Sequence, residues 1–189
     1  MVKYLFLIGR PGSGKTTFIQ ILTDILKKQS KDFEIHNDWS ILYGYAQNKK
    51  HTGLIELSEN GFKVLNEKLY TTALEELISK ILINDKKSEF QIIEFSRRNY
   101  YECFVLIEQM IKMEIFYIVY IDSDYNNCLS RNIKRESHQV PLDIMELHFK
   151  FDDKNELIIH HLPVVEISNK SDIRCLKNEA MFFFKHYCS

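Results

Sequence analysis

The sequence predicts an α/β protein: one doubly wound domain over residues 1–189, with a five-stranded parallel sheet flanked by helices. Three observations predict it. Short apolar runs alternate with stretches of helical periodicity along the whole chain. The first run, Tyr4, Leu5, Phe6, Leu7 and Ile8, leads straight into a glycine-rich turn and then a helix. The run at 115–121 is apolar without interruption, the pattern of a strand covered on both faces.

Length and composition set bounds. A chain of 189 residues suits one domain with a sizeable core. Hydrophobic residues make up 45% and charged residues 27%, and the formal net charge is -1, so no global basic field points to nucleic acid or an anionic membrane. No segment has the apolar length of a membrane span, and the first apolar run is too short for a secretory signal. Cys103, Cys128, Cys175 and Cys188 lie far apart with no C-x-x-C pair. That argues against a disulfide framework or structural zinc, and for a reducing, cytoplasmic setting. The sequence leaves a homodimer open.

The turn after the first strand reads Gly9-Arg10-Pro11-Gly12-Ser13-Gly14-Lys15-Thr16-Thr17 and satisfies G-x-x-x-x-G-K-[ST]. Without Cβ atoms the backbone can double back with its N–H groups inward, and the helix N-terminus adds partial positive charge. Gly9, Gly12, Ser13, Gly14, Lys15, Thr16 and Thr17 are therefore expected to cradle a nucleoside triphosphate. Lys15 would meet the β- and γ-phosphates, and the Thr16 hydroxyl would bind Mg²⁺. Phe18, Ile21, Leu22, Ile25 and Leu26 form the apolar stripe of the helix that follows.

A second strand at 33–36 ends at Asn37-Asp38. Asp38 then stands at the carboxyl edge, where open α/β sheets bind ligands; it either serves that site or caps a helix starting at Trp39. Periodicity weakens over 39–60, where Trp39, Tyr43, Tyr45 and His51 suit either a pocket for an aromatic ring or plain packing. A helical stripe runs over 64–83 (Tyr70, Ala73, Leu74, Leu77, Ile78, Ile81), followed by a loop at 84–88. The third strand, 90–95, carries Glu94, with Arg97 and Arg98 just beyond. A carboxylate there can hold Mg²⁺ or a substrate hydroxyl, and guanidinium forks suit phosphate; a surface ion pair is the plainer alternative. A helix with Phe104, Ile107, Met110 and Ile111 on one face precedes the fourth strand at 115–121, after which Asp122 and Asp124 read mainly as helix caps. Arg131 and Arg135 are expected on one helix face. The segment 131–141 is expected to close over phosphate as a lid, or else to be a solvated charged face. A helix from Pro141 to about 154 follows, then a fifth strand at 164–167 and a last helix with Ile173, Leu176, Ala180, Phe183, Phe184 and Tyr187 inward.

The G-x-x-x-x-G-K-T loop, Asp38 after strand two, Glu94 with Arg98 after strand three, and the arginines after strand four together resemble the P-loop kinases of the nucleoside monophosphate kinase-like superfamily. The resemblance implies a phosphotransferase with ATP and Mg²⁺ on the donor side and a small-molecule acceptor, first a nucleoside or nucleoside monophosphate, with a polynucleotide end or another hydroxyl compound as alternatives. It implies Asp38 as the group that activates the acceptor, with Glu94 as its rival and as a metal-binding residue. Arg98, with Arg97, would hold an acceptor phosphate. Arg131 and Arg135 would be lid arginines, and Asn169 would meet the adenine. Residues 39–89, with Trp39 and Tyr43, become the acceptor-binding region, though Phe95 stands where the family signature has glycine.

Two other readings stay open. Asn169-Lys170-Ser171-Asp172 matches the N-K-x-D pattern of GTPases, but the chain has no D-x-x-G. A regulatory nucleotide-binding module without phosphotransfer fits the loop alone.

Overall fold

A computed structural model describes residues 2–84, 88–113, 115–170 and 172–188. Residues 85–87 of the expected loop, and Ser171 of the N-K-x-D match, lie outside the described residues. In chain order the elements are β1 (Lys3–Ile8), α1 (Lys15–Lys28), β2 (Phe33–Asn37), α2 (Trp39–Gln47), β3 (Ile55–Ser58), β4 (Gly61–Val64), α3 (Lys68–Ile83), β5 (Phe90–Glu94), α4 (Tyr100–Met110), β6 (Ile115–Asp122), α5 (Tyr125–Ile133), α6 (Leu142–Lys150), α7 (Lys154–Ile159), β7 (Val164–Ser168) and α8 (Ile173–Phe183).

The main sheet is parallel throughout, in the order β2-β5-β1-β6-β7, and helices cover both faces, as the sequence predicts. Side chains of a strand alternate between faces, and β1 divides accordingly. Tyr4, Phe6 and Ile8 join a core with Leu74, Ile78, Phe104 and Ile107 of α3 and α4, whereas Leu5 and Leu7 join Phe18, Leu22 and Leu26 of α1 and Leu176 and Phe183 of α8. β6 splits the same way, with Ile118 and Tyr120 on the first side and Val119 and Ile121 on the second. Burial on both sides explains why these central strands are uninterrupted apolar runs. Register brings the carboxyl ends level: Leu7 and Asn37 both stand opposite Glu94, and Asp122 opposite Ser168. The edge so formed carries the glycine loop.

Four expectations need correction. The helix expected from 64 begins at Lys68, because Gly61–Val64 pairs antiparallel with Ile55–Ser58 in a separate two-stranded hairpin. The helix expected to reach 154 stops at Lys150. There the chain turns so that Asp153 accepts hydrogen bonds from the N–H groups of Tyr100 and Tyr101 at the start of α4 (2.8 and 3.4 Å). Asp124 caps α5 by accepting from Asn127 N (2.8 Å), but Asp122 closes β6 and caps nothing. Finally, α5 ends at Ile133, so Arg135 lies beyond it and shares no helix face with Arg131. None of the helices among the described residues is long and apolar enough to cross a membrane.

Candidate functional site

The loop at 9–17 is held in shape from several sides. Gly9, Gly12 and Gly14 have φ values of 141°, 78° and 102°, a region that favours glycine. A Cβ at these positions would stand 2.6 Å from the Ile121 carbonyl oxygen, 2.4 Å from that of Cys128 and 2.2 Å from Asn169 Nδ2 respectively. The Gly9 N–H donates to the Tyr100 hydroxyl (3.2 Å), and the Gly9 carbonyl accepts from Ser96 Oγ (2.9 Å). Asn169 Nδ2 donates to the Ser13 carbonyl (2.7 Å), and its backbone N–H to that of Asp122 (2.7 Å). Arg131 donates to the Ser13 carbonyl (3.3 Å), to Ser123 Oγ (3.2 Å) and to the Asn169 carbonyl (3.2 Å). The structure thus places both Asn169 and Arg131 against the back of the loop, joining it to α5 and to the end of β7.

Arg10 extends this scaffold. It pairs with Asp152 (2.9 Å) and Asp122 (3.5 Å) and lies over the Phe149 ring (4.5 Å). Asp122 also pairs with Lys170 (2.6 Å), and Asp152 accepts from the Tyr120 hydroxyl. Arg10, Tyr100, Tyr120 and Asp152 were not identified from the sequence. A tyrosine inside a hydrophobic strand or helix stripe carries no mark that its hydroxyl will hold a loop.

The reacting end faces outward. Lys15 is buried, and its ammonium donates to the carbonyls of Gly9 (2.9 Å) and Arg10 (3.1 Å). Burial pushes its pKa down to about 8, Glu94 opposing the fall and Arg135 adding to it. The Thr16 hydroxyl donates to Glu94 Oε1 (3.0 Å). Two hard oxygens side by side at the start of a helix suit Mg²⁺. The three positive-φ glycines form a cradle that any Cβ would fill, and Ser13 Oγ is buried without a partner. The residues present therefore fit a triphosphate with its metal.

Beyond Glu94 lie the residues expected on the acceptor side. Asp38 and Arg97 are both buried and form an ion pair with each other. Arg97 also donates to the carbonyls of Ser96 (2.8 Å) and Tyr70 (3.2 Å) and lies over the Tyr70 ring (4.5 Å). Burial alone would lower its pKa; Asp38 more than reverses this and raises it. Arg98 pairs with Glu67 and is half-buried. Both arginines line a cavity of about 330 Å³ between α3, α4 and α6, and His148 of α6, a residue no sequence motif marks, stands in its wall.

Trp39 and Tyr43 do not line that cavity. They stack on each other (4.7 Å between centroids), and Trp39 also stacks on His138 (3.7 Å). Arg135 donates to the His138 carbonyl (3.1 Å), and burial lowers its pKa. The Gln139 N–H donates to the Asn60 carbonyl (3.0 Å), and Lys63 pairs with Asp143 (2.6 Å). The segment after α5 thus rests on α2 and the hairpin, with Arg135 near enough to Lys15 to affect its proton.

Residues 4–180 match a family profile described as chromatin associated protein KTI12. No curated protein matches the chain. Among solved structures, a sugar kinase from Janibacter sp. HTCC2649, unliganded, superposes with a TM-score of 0.65 at 14% identity, covering 98% of this chain and 95% of that one. Kti12 from Chaetomium thermophilum in complex with ADP-AlF3 gives 0.62 at 13% identity, covering 99% and 100%. Shikimate kinase from Acinetobacter baumannii in complex with shikimate gives 0.59 at 11% identity, covering 98% and 92%. At these identities the likeness shows a shared P-loop kinase-like fold.

Proposed function

The chain belongs to the KTI12 family of chromatin associated proteins, and from that premise we propose that it binds ATP with Mg²⁺ on residues 9–17 and passes the γ-phosphoryl group to a small acceptor in the adjoining cavity. The observation that carries this reading is the contact of Thr16 Oγ1 with Glu94 Oε1 (3.0 Å), beside a buried Lys15. The solved Kti12 relative was captured with ADP-AlF3, a combination that mimics a phosphoryl group in flight, which supports nucleotide use at this loop.

On this reading Lys15 leaves the carbonyls of Gly9 and Arg10 and neutralises the β- and γ-phosphates, while loop N–H groups align them. Thr16 and Glu94 would hold Mg²⁺, which when bound supplies charge neutralisation at the phosphate oxygens. Arg135 would offset charge that spreads over the transferred group; its influence on Lys15 supports this. Asn169 and Arg131 keep the loop rigid. Asp38 is engaged by Arg97, so it orients the acceptor side rather than taking a proton, and Glu94 is the carboxylate left for the reacting end. A nucleoside or nucleoside monophosphate is the acceptor class the overall layout suggests.

One observation favours a second reading. The closed Asp38–Arg97 pair leaves neither partner free for an acceptor, as suits an ATPase whose nucleotide state is read by another macromolecule. The test is incubation with γ-labelled ATP, Mg²⁺ and a panel of nucleosides and nucleoside monophosphates. Transfer of label to a panel member supports the first reading; free phosphate alone supports the second; no turnover, with or without panel compounds, sinks both.

A further inference from the structure

His148 sits on α6 and is buried, yet its Nδ1 has no hydrogen-bond partner. A neutral imidazole has one N–H and one lone pair, and a hydroxyl, which both donates and accepts, can satisfy the Nδ1 position in either tautomer. Burial, with Lys15, Arg97 and Arg98 nearby, keeps the ring neutral by pushing its pKa down to about 3. A buried polar atom without a partner is costly, and this one lines the cavity of about 330 Å³, a volume at the lower end for small-molecule sites.

The rest of the cavity says which ligand suits it. Tyr70 and Leu74 of α3 face Cys103 and Leu106 of α4, giving walls that suit the flat or puckered body of a ring. The charges around it are balanced. Arg97 is matched by Asp38 and Arg98 by Glu67, and the other charged residues of the lining are one lysine, Lys68, and one glutamate, Glu102. A phosphate ester entering here would meet no spare guanidinium.

We infer that this cavity binds a neutral, hydroxyl-bearing ring compound, a nucleoside or a sugar rather than its phosphate ester, with His148 Nδ1 hydrogen-bonded to a ligand hydroxyl. The assignment of that ligand as phosphoryl acceptor rests on the function proposed above; the binding site itself does not.

Calorimetric titration of the protein saturated with Mg·ADP, so that the donor loop is filled, tests it. The probes are cytidine, thymidine, D-ribose and myo-inositol, each against its monophosphate ester. At least one neutral probe binds, and its ester binds at least about tenfold more weakly. His148→Leu, which removes the hydrogen-bonding nitrogen, weakens the neutral probe about tenfold, a typical loss for one buried hydrogen bond. His148→Asn, whose amide can accept or donate, stays within about threefold. In the ligand-free protein His148→Leu raises Tm, since it removes an unpaired polar atom; a histidine kept for structure alone would lower it. Binding by no neutral probe, an ester that binds as well or better, or unchanged affinity in His148→Leu overturns the inference. Binding with these dependences but no labelled product would sink phosphotransfer and leave the site. A labelled product formed undiminished in His148→Leu would do the reverse.

Discussion

Gly14→Ala puts the loop's scaffold to a quantitative test. Gly14 has φ 102°, and an added Cβ would stand 2.2 Å from Asn169 Nδ2. Holding an L-residue in left-handed backbone costs about 1–2 kcal/mol. The clash also forces Asn169 away from the Ser13 carbonyl, now 2.7 Å distant, and an orphaned buried polar group costs about 1–3 kcal/mol. Together the substitution should destabilise the protein by roughly 2–5 kcal/mol, read as a lower urea midpoint at unchanged slope. Asn169→Ala removes the steric partner while leaving the backbone strain. Gly14→Ala combined with Asn169→Ala should therefore cost less than the two singles added, by about 1 kcal/mol or more. Additive effects, or a Gly14→Ala protein within about 0.5 kcal/mol of the parent, would refute the account of how the loop is held.

Further outcomes follow from other contacts. Lys15 is buried with its pKa lowered to about 8 from 10.5. The unfolded chain therefore binds the extra proton below about 10.5, and stability attributable to this group rises with pH between about 8 and 10.5. Lys15→Met should remove that slope and stabilise the nucleotide-free protein by about 3 kcal/mol at pH 7, measured by urea unfolding at pH 7 and pH 10; an unchanged slope contradicts it. Asp38→Asn strands Arg97, and Arg97→Met strands Asp38. Each single variant should lose about 3–5 kcal/mol, with the double variant losing less than the sum in the same assay. Trp39 is the chain's one tryptophan, so His138→Ala, by uncovering its stacked face, should shift fluorescence emission to longer wavelength; unchanged emission means the stack is not formed.

The central sheet was legible because strands buried on both faces must be apolar throughout, and the loop because phosphate binding constrains residue types at fixed spacing. The hairpin of β3 and β4 was harder. Its Ile55-Glu56-Leu57-Ser58 segment is exposed except at Ile55, so it lacks a buried stripe. The one available signal was Asn60-Gly61, a dipeptide typical of hairpins, although the two-residue turn is Glu59-Asn60, one position earlier. In the site, the glycine-loop pattern marked Lys15 and Thr16 at the start of α1, and the end of a strand marked Glu94. It could not show that Arg97 would turn inward to Asp38 while Arg98 reaches Glu67. Adjacent arginines look alike until packing decides which is buried. His148 lies in an ordinary amphipathic stretch, and only the tertiary arrangement leaves its Nδ1 alone in a cavity wall.

The most direct test of the central claim is the affinity for Mg·ATP of the parent protein and of Lys15→Met, measured by titration calorimetry at pH 7. Two charge-assisted hydrogen bonds from Lys15 to phosphate, at about 1.5 kcal/mol each or more, predict binding at least about 100-fold weaker in the variant, with its fold intact by circular dichroism. Equal affinity in the two proteins would contradict the assignment of residues 9–17 as the triphosphate site.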